Sequence, residues 1–420
     1  MERISYKKIV ILLLVALASL RNSAQISSQA LGGSTINPIT TAVPFLLISP
    51  DSKHGAMGDV GVATDADANS THWNQSKLAF ADKKFGVALT ATPWLRNLVP
   101  DIYLYYLSGY SKISKPSAKN QQAVSASLRY FTLGNIQLTD AQGNSTGDFK
   151  PNEFALDLGF AQKLGKNFST GVAFRFVNSS ISRVYFNGQQ GNAASTVAVD
   201  LTMYYKSNVF KLGDKKAYAT SGLAFTNLGT KIKYSTEKNF IPMNMRLGGG
   251  LKVNMDDFNT FGVYLDFNKL LVPTPPIYQY QTDSLGNTTT QIAIDPTTGA
   301  KVIAKGKNPN VPVAQGILQS FGDAPGGFKE EMSEFNISTG LEYEYNKTFA
   351  VRAGYFHEPK TKGARQFFTV GIGLRYSIGS LDISYLIPRT LNNPLQNTFR
   401  FSLGFYFDAD TKKKEEPVTP

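Results

Sequence analysis

Residues 168–176 read Phe168-Ser169-Thr170-Gly171-Val172-Ala173-Phe174-Arg175-Phe176. Successive side chains of a strand point to opposite faces, so Phe168, Thr170, Val172, Phe174 and Phe176 share one face. Ser169, Gly171, Ala173 and Arg175 share the other. The stretch Phe399–Phe407 repeats the pattern, with Phe399, Phe401, Leu403, Phe405 and Phe407 set against Arg400, Ser402, Gly404 and Tyr406. Val197, Val199, Leu201, Met203 and Tyr205 oppose Asp200 and Thr202, and Phe261, Val263, Leu265 and Phe267 oppose Tyr264, Asp266 and Asn268.

Working outward, about 14 such segments of roughly 9–12 residues fill residues 84–407, each long enough for a tilted strand to cross a bilayer. Their second face is small and Gly-rich, with embedded charges of both signs: Arg129, Asp157, Arg175, Asp200, Arg246, Asp266, Glu342, Arg352, Arg375 and Arg400. The exposed face of a soluble sandwich is normally rich in Lys, Glu and Thr. A charge network inside a closed lumen accounts better for this set. Connections mostly alternate between short (165–167, 346–347, 378–379) and long (134–152, 181–195, 228–241, 270–334). Outer-membrane barrels place short turns in the periplasm and long loops outside. The expected fold is therefore all-β, a transmembrane antiparallel β-barrel of about 14 strands, with both chain ends on the periplasmic side. On the lipid face, Leu403→Arg is expected to harm assembly more than Ser402→Arg does in the lumen.

The start of the chain specifies a compartment. Arg3, Lys7 and Lys8 precede the apolar run 9–20, and Ala24 closes a small-residue cleavage pattern, so residues 1–24 read as a signal peptide. Removing them takes four cations and Glu2, a net +3, so the formal charge falls from +12 to +9. Residues 25–83 do not alternate and are too few for a core of their own. They are expected to form a periplasmic or plug segment packed in the barrel. Residues 408–420 are a charged tail.

With no Cys and three His among 420 residues, thiolate chemistry is excluded and a His-based metal site or relay is poorly supplied. Asp65, Asp67 and Asn69 lack the Gly and closing Glu of a calcium loop and suit turns and caps. No catalytic residue, metal or cofactor is expected. No basic run with interleaved aromatics points to nucleic acid, and the positive charge suits anionic lipopolysaccharide in the outer membrane. The connection 270–334 is too long for a bare loop. Its Ile317, Leu318, Phe321 and Phe328, with Asp323, are the candidate partner or cargo surface, since exposed apolar groups mark contact sites.

Ala56-Met57-Gly58-Asp59-Val60-Gly61, followed by Trp73-Asn74, resembles the amino-terminal signature of FadL-like barrels, with Gln75-Ser76 in place of the usual Pro-Ala. Met57, Gly58, Asp59, Gly61, Trp73 and Asn74 are thus the plug motif. The stretches 37–44, 49–61 and 321–331 look like the PorV (LptO) family of the Bacteroidetes type IX secretion system. That resemblance implies a barrel that associates with the large translocon barrel and binds the C-terminal signal domain of secreted cargo. It would then pass cargo to the cell-surface attachment complex holding a PorU-type sortase. The alternative is a FadL-like channel for uptake of hydrophobic small molecules, which needs an open or lateral path.

Overall fold

The computed structural model describes residues 36–408, apart from 116–117, 141, 182–184, 187–188, 191–192, 235–236, 284–287 and 391–392. The expected signal peptide and the tail beyond residue 408 lie outside the described residues.

Fourteen long strands carry the alternation: β1 (Phe85–Pro93), β2 (Ile102–Lys112), β3 (Gln122–Leu133), β4 (Asn152–Lys163), β5 (Phe168–Ser179), β6 (Ala194–Lys206) and β7 (Lys215–Gly229). They continue with β8 (Asn244–Asn254), β9 (Asn259–Leu270), β10 (Phe335–Tyr345), β11 (Phe349–His357), β12 (Gln366–Tyr376), β13 (Gly379–Pro388) and β14 (Phe399–Phe407). Each pairs antiparallel with its sequence neighbours, and β14 returns to β1 in the register Phe85↔Phe407 to Ala91↔Phe401. The ring is therefore closed. Closure matters because each unpaired backbone group in hydrocarbon would cost several kcal/mol.

The faces follow the sequence pattern. Phe174 is 62% exposed and Leu403 49%, whereas Arg175 and Ser402 between them in pattern are 3% exposed. Short turns gather at one end. In the three-residue turn joining β10 to β11, Asn346 and Lys347 have φ of 49° and 55°. Two consecutive positive φ values define the hairpin turn whose twist matches its strands.

Residues 43–81 cross the interior as a chain of short helical turns: Pro44–Leu47, Ser52–Gly55, Ser70–Trp73 and Gln75–Phe80. Val43, Phe45 and Leu46 pack with Ile102, Leu104, Phe131, Ile241 and Leu271 near the long-loop mouth. Leu78, Ala79 and Ala81 pack with Ala88, Tyr110, Ala123 and Ala161 near the short-turn end. The plug thus runs from mouth to turns before the chain re-enters the wall as β1. The wall therefore begins and ends at the short-turn end, while the first described residues of the plug segment lie at the mouth. Lys83 and Asp408 meet at the short-turn end at 2.7 Å. Asn37 and Ala42, however, donate main-chain N–H bonds to Thr361 (2.8 Å) and Phe240 (2.9 Å) at the mouth. An apolar strap broken by prolines buries itself in the apolar mouth cluster, a contact invisible to strand periodicity.

Candidate functional site

The plug motif fastens the interior to the wall. Met57 is fully buried, and Gly58 (φ +67°) donates its N–H to Thr369 Oγ1 at 2.8 Å. A Cβ on Gly58 would stand 2.6 Å from the Tyr355 main-chain nitrogen, so both backbone angle and space require glycine here. The N–H groups of Gly61 and Val62 donate to the Asp266 carboxylate at 2.7 and 3.0 Å. Trp73 Nε1 donates to Asp51 at 2.7 Å, with the Arg246 guanidinium 4.7 Å from its ring centre. Asn74 Nδ2 donates to the carbonyls of Val62 and Met203, both at 2.9 Å, while its oxygen caps the following turn at Ser76 N–H. Asp59 sits at φ 62° with its carboxylate 3.9 Å from Arg400.

The lumen charges divide in two. One group pairs along the wall: Arg175 with Asp157 (2.5 Å) and Asp200 (3.0 Å) on the strands to either side, and Arg352 with Glu342 (2.7 Å) on the adjacent strand and Asp382 (2.7 Å) two strands away. Arg375, near the rim, pairs with Glu344 at 3.0 Å. Among the described residues, opposite wall charges do not meet across the lumen, because the plug occupies its axis. The second group holds the plug itself. Arg129 donates to the Leu46 carbonyl at 2.9 Å and contacts His72, Arg246 donates to Asn268 at 2.5 Å beneath Trp73, and Asp266 takes the Gly61 and Val62 N–H groups.

Several partners escaped the sequence reading. Asp382 and Glu344 share lumen faces with Ser384 and Glu342, a placement the alternation could have shown. The cluster inside the plug had no such signal. His54 bridges Asp51 (2.7 Å) and Thr64 (3.0 Å), Lys77 Nζ donates to Thr64 Oγ1 (2.9 Å) and the Gly61 carbonyl (2.8 Å), and Lys53 pairs with Asp67 (2.9 Å). Asp67 also accepts from Asn69 N–H at 3.0 Å, and Asp65 holds Lys206, Lys252 and the Tyr218 hydroxyl. These carboxylates serve turns and ion pairs of the plug.

The long loop rests on an ionic clasp at the mouth. Lys269, closing β9, reaches Glu331 (2.8 Å) and Glu334 (2.7 Å). Lys362, between β11 and β12, reaches Glu330 (2.6 Å) and Glu334 (3.0 Å). Asn37 Nδ2 donates to Glu330 (3.1 Å) and the Pro275 carbonyl (3.0 Å), so the strap joins the same knot. Asp323 is buried and accepts the Thr274 N–H at 3.1 Å, and its burial raises its pKa above the ordinary carboxylate value. Asp323 therefore braces the loop from within. Ile317, on the short helix Val313–Gln319, is half-buried against the mouth cluster. Leu318 (77% exposed) and Phe328 (78%) point outward, with Phe321 and Met332 about half exposed.

A closed antiparallel barrel with a lipid-facing apolar band and a lumen filled by its own amino-terminal plug is an outer-membrane β-barrel protein. Similar solved structures include the Ralstonia pickettii toluene transporter TbuX, 12% identical over 86% of this chain and 98% of that one (TM-score 0.42). The P. putida toluene transporter TodX (10%, 86% and 99%, TM-score 0.43) and a Pseudomonas aeruginosa FadL homologue (12%, 88% and 99%, TM-score 0.41) are others. No curated protein matches the chain. The model of the family described as type IX secretion system protein PorV matches residues 33–277. The chain belongs to that family, and it is an outer-membrane component of type IX secretion.

Proposed function

We propose that this barrel is a non-enzymatic carrier, which binds secreted cargo through the cargo's C-terminal signal domain and shuttles it from the large translocon barrel to the surface attachment complex with its PorU-type sortase. The observation that carries the proposal is the clasped long loop. Its ion pairs fix the backbone over the mouth while Leu318, Phe328, Phe321 and Met332 stay exposed above a filled lumen. Exposed apolar groups on a fixed support, away from lipid, suit a protein surface. The plug argues against a continuous small-molecule path, because Trp73, Arg129 and Arg246 fill the axis with bonded side chains. The lipid-facing band anchors the carrier in the outer membrane. On this reading the leader 1–24 is removed near Ala24.

The test replaces Leu318 and Phe328 together by Asp, changes confined to exposed side chains. Cargo co-purified from native membranes is expected to fall at least tenfold with barrel abundance unchanged. Undiminished cargo capture by the double variant would remove the loop from the binding surface.

A further inference from the structure

The short-turn end of the barrel is charged on one side. Three consecutive turns there join β2 to β3, β4 to β5 and β6 to β7. Residues 112–121, 163–167 and 206–216 carry nine lysines and a single acidic residue, Asp214. The rest of that end balances, with five cations and five carboxylates in 82–84, 252–259, 344–348, 375–379 and at 408. The basic turns stand side by side: the Lys163 N–H donates to the Gln121 carbonyl and the Lys206 N–H to the Asn167 carbonyl, both at 2.8 Å. The excess charge therefore forms one sector, and six strands spaced about 4.8 Å apart give it roughly 25–30 Å of rim.

Four of the nine lysines serve the barrel itself. Lys112 donates to the Ala81 carbonyl at 2.9 Å, Lys163 lies 3.9 Å from the Phe80 ring centre, Lys206 pairs with Asp65 at 2.9 Å and Lys215 with Asp214 at 3.2 Å. Lys115, Lys119, Lys166, Lys211 and Lys216 are exposed, and among the described residues no carboxylate pairs with them. The hairpin between β6 and β7 sets Lys211 directly opposite Lys216. Like charges in opposed positions destabilise a strand pair, and an anion held by both relieves the repulsion.

Exposed apolar side chains accompany these cations. Ile113 and Leu164 continue the outward faces of β2 and β4 one position past the strand ends, and Val209, Phe210 and Leu212 stand exposed on the hairpin. Apolar groups at the edge of the lipid-facing band, beside unpaired lysines, suit the boundary where acyl chains meet headgroups. An acidic protein needs the charges but has no use for an apolar row continuous with the lipid face. In an outer-membrane barrel the short turns meet the periplasmic leaflet.

We infer that this sector binds a cluster of phospholipids with net negative headgroups in the periplasmic leaflet, with Lys115, Lys119, Lys166, Lys211 and Lys216 holding the phosphates. The balanced remainder of the rim has no such preference, so one side of the barrel carries its own lipid shell. The inference is independent of the cargo surface proposed above.

The experiment places the full chain in phosphatidylcholine nanodiscs doped with spin-labelled phosphatidylglycerol or, in parallel, spin-labelled phosphatidylcholine. Electron paramagnetic resonance reads the lipid immobilised at the protein surface. Phosphatidylglycerol is expected there with at least threefold preference, fading in high salt as the charges are screened. Lys115→Gln, Lys119→Gln, Lys166→Gln and Lys211→Gln together should remove most of the preference. Lys150→Gln, Lys233→Gln, Lys238→Gln and Lys360→Gln, the same charge change at exposed mouth positions, should leave it intact. The comparison of the two lipids uses the unaltered chain, so it decides even where the turn variant fails to assemble. Polyglutamate is titrated onto the same nanodiscs, and its saturable binding without any lipid preference would assign the sector to an acidic protein and overturn the inference. Absence of a preference, its survival in the turn variant, or equal loss in both variants would overturn it as well.

Discussion

Asp200 on β6 accepts the main-chain N–H of Asn227 on β7 at 2.7 Å, where the ladder between the two strands slips. The register passes from Val199↔Leu228 to Leu201↔Phe225, so one extra residue bulges from β7, and Asn227 takes φ 58°. The same carboxylate pairs with Arg175, which also donates to the Asn227 side chain. A backbone irregularity in the wall is thus satisfied by a lumen charge. Bulges leave a residue out of the ladder, and here the orphaned group finds its partner inside.

Removing that partner should be costly. Asp200→Ala leaves Arg175 with Asp157 as its remaining carboxylate and leaves the buried Asn227 N–H unpaired, a loss of about 1–3 kcal/mol for an unsatisfied buried donor. Urea unfolding in lipid vesicles measures it. Arg175→Met alone strands both Asp157 and Asp200, and adding Asp200→Ala to it is expected to recover part of that loss, because one uncompensated buried carboxylate is gone. Additive losses would contradict the coupling.

Leu403, at the centre of β14, faces lipid. Leu403→Arg should cost about 2–4 kcal/mol at the bilayer midplane and lower the folded fraction on heat-modified gels. Ser402 does not serve as the mild control that alternation alone suggests. Its hydroxyl accepts the Ser52 N–H at 2.9 Å and bonds with Thr90, so Ser402→Arg collides with the plug. Leu403→Ala is the appropriate reference, with little loss expected.

Gly58→Ala places a methyl 2.6 Å from the Tyr355 nitrogen at a positive φ, and each feature strains the joint between plug and wall. Backbone strain of this kind costs on the order of 1–3 kcal/mol before the clash is counted. A loosened plug is expected, seen as higher single-channel conductance in planar bilayers than the unaltered barrel gives. Unchanged conductance together with unchanged stability would show that the joint yields freely.

The clasp supplies a pH response. Burial raises the pKa of Glu330, but the hydrogen bonds from Lys362, Gly326 and Asn37 outweigh it and hold the group below its ordinary value of 4.5. A depressed folded value means that the carboxylate stabilises the clasp fully above about pH 4.5, and that this contribution fades as pH falls through the folded value. Hydrogen exchange in the loop 271–334 should accelerate below that pH. Lys362→Met should show the faster exchange already at pH 7.

The particular residues show how much could be read in advance. Phe174 and Arg175 were assigned to lipid and lumen by alternation, and the pairing of Asp157 with Arg175 lies one strand apart in a meander. The path of the plug was not legible. Nothing near His54 announces Thr64 and Lys77 as partners, and nothing near Asp323 tells that Thr274 buries it while Phe328, five residues on, stays exposed.

Lipid is a uniform solvent, so every outward side chain meets the same surroundings wherever it lies on the ring. A two-residue period is then enough to specify the wall, its inside and its outside, and neighbour-to-neighbour pairing closes it. The interior offers no such uniformity. Whether a lumen arginine meets a carboxylate on the next strand, a carbonyl of the plug, or a plug glycine depends on residues hundreds of positions away, as for Arg400 over Gly55. Those partners exist only once the plug has been threaded and packed, and the folded molecule alone assigns them.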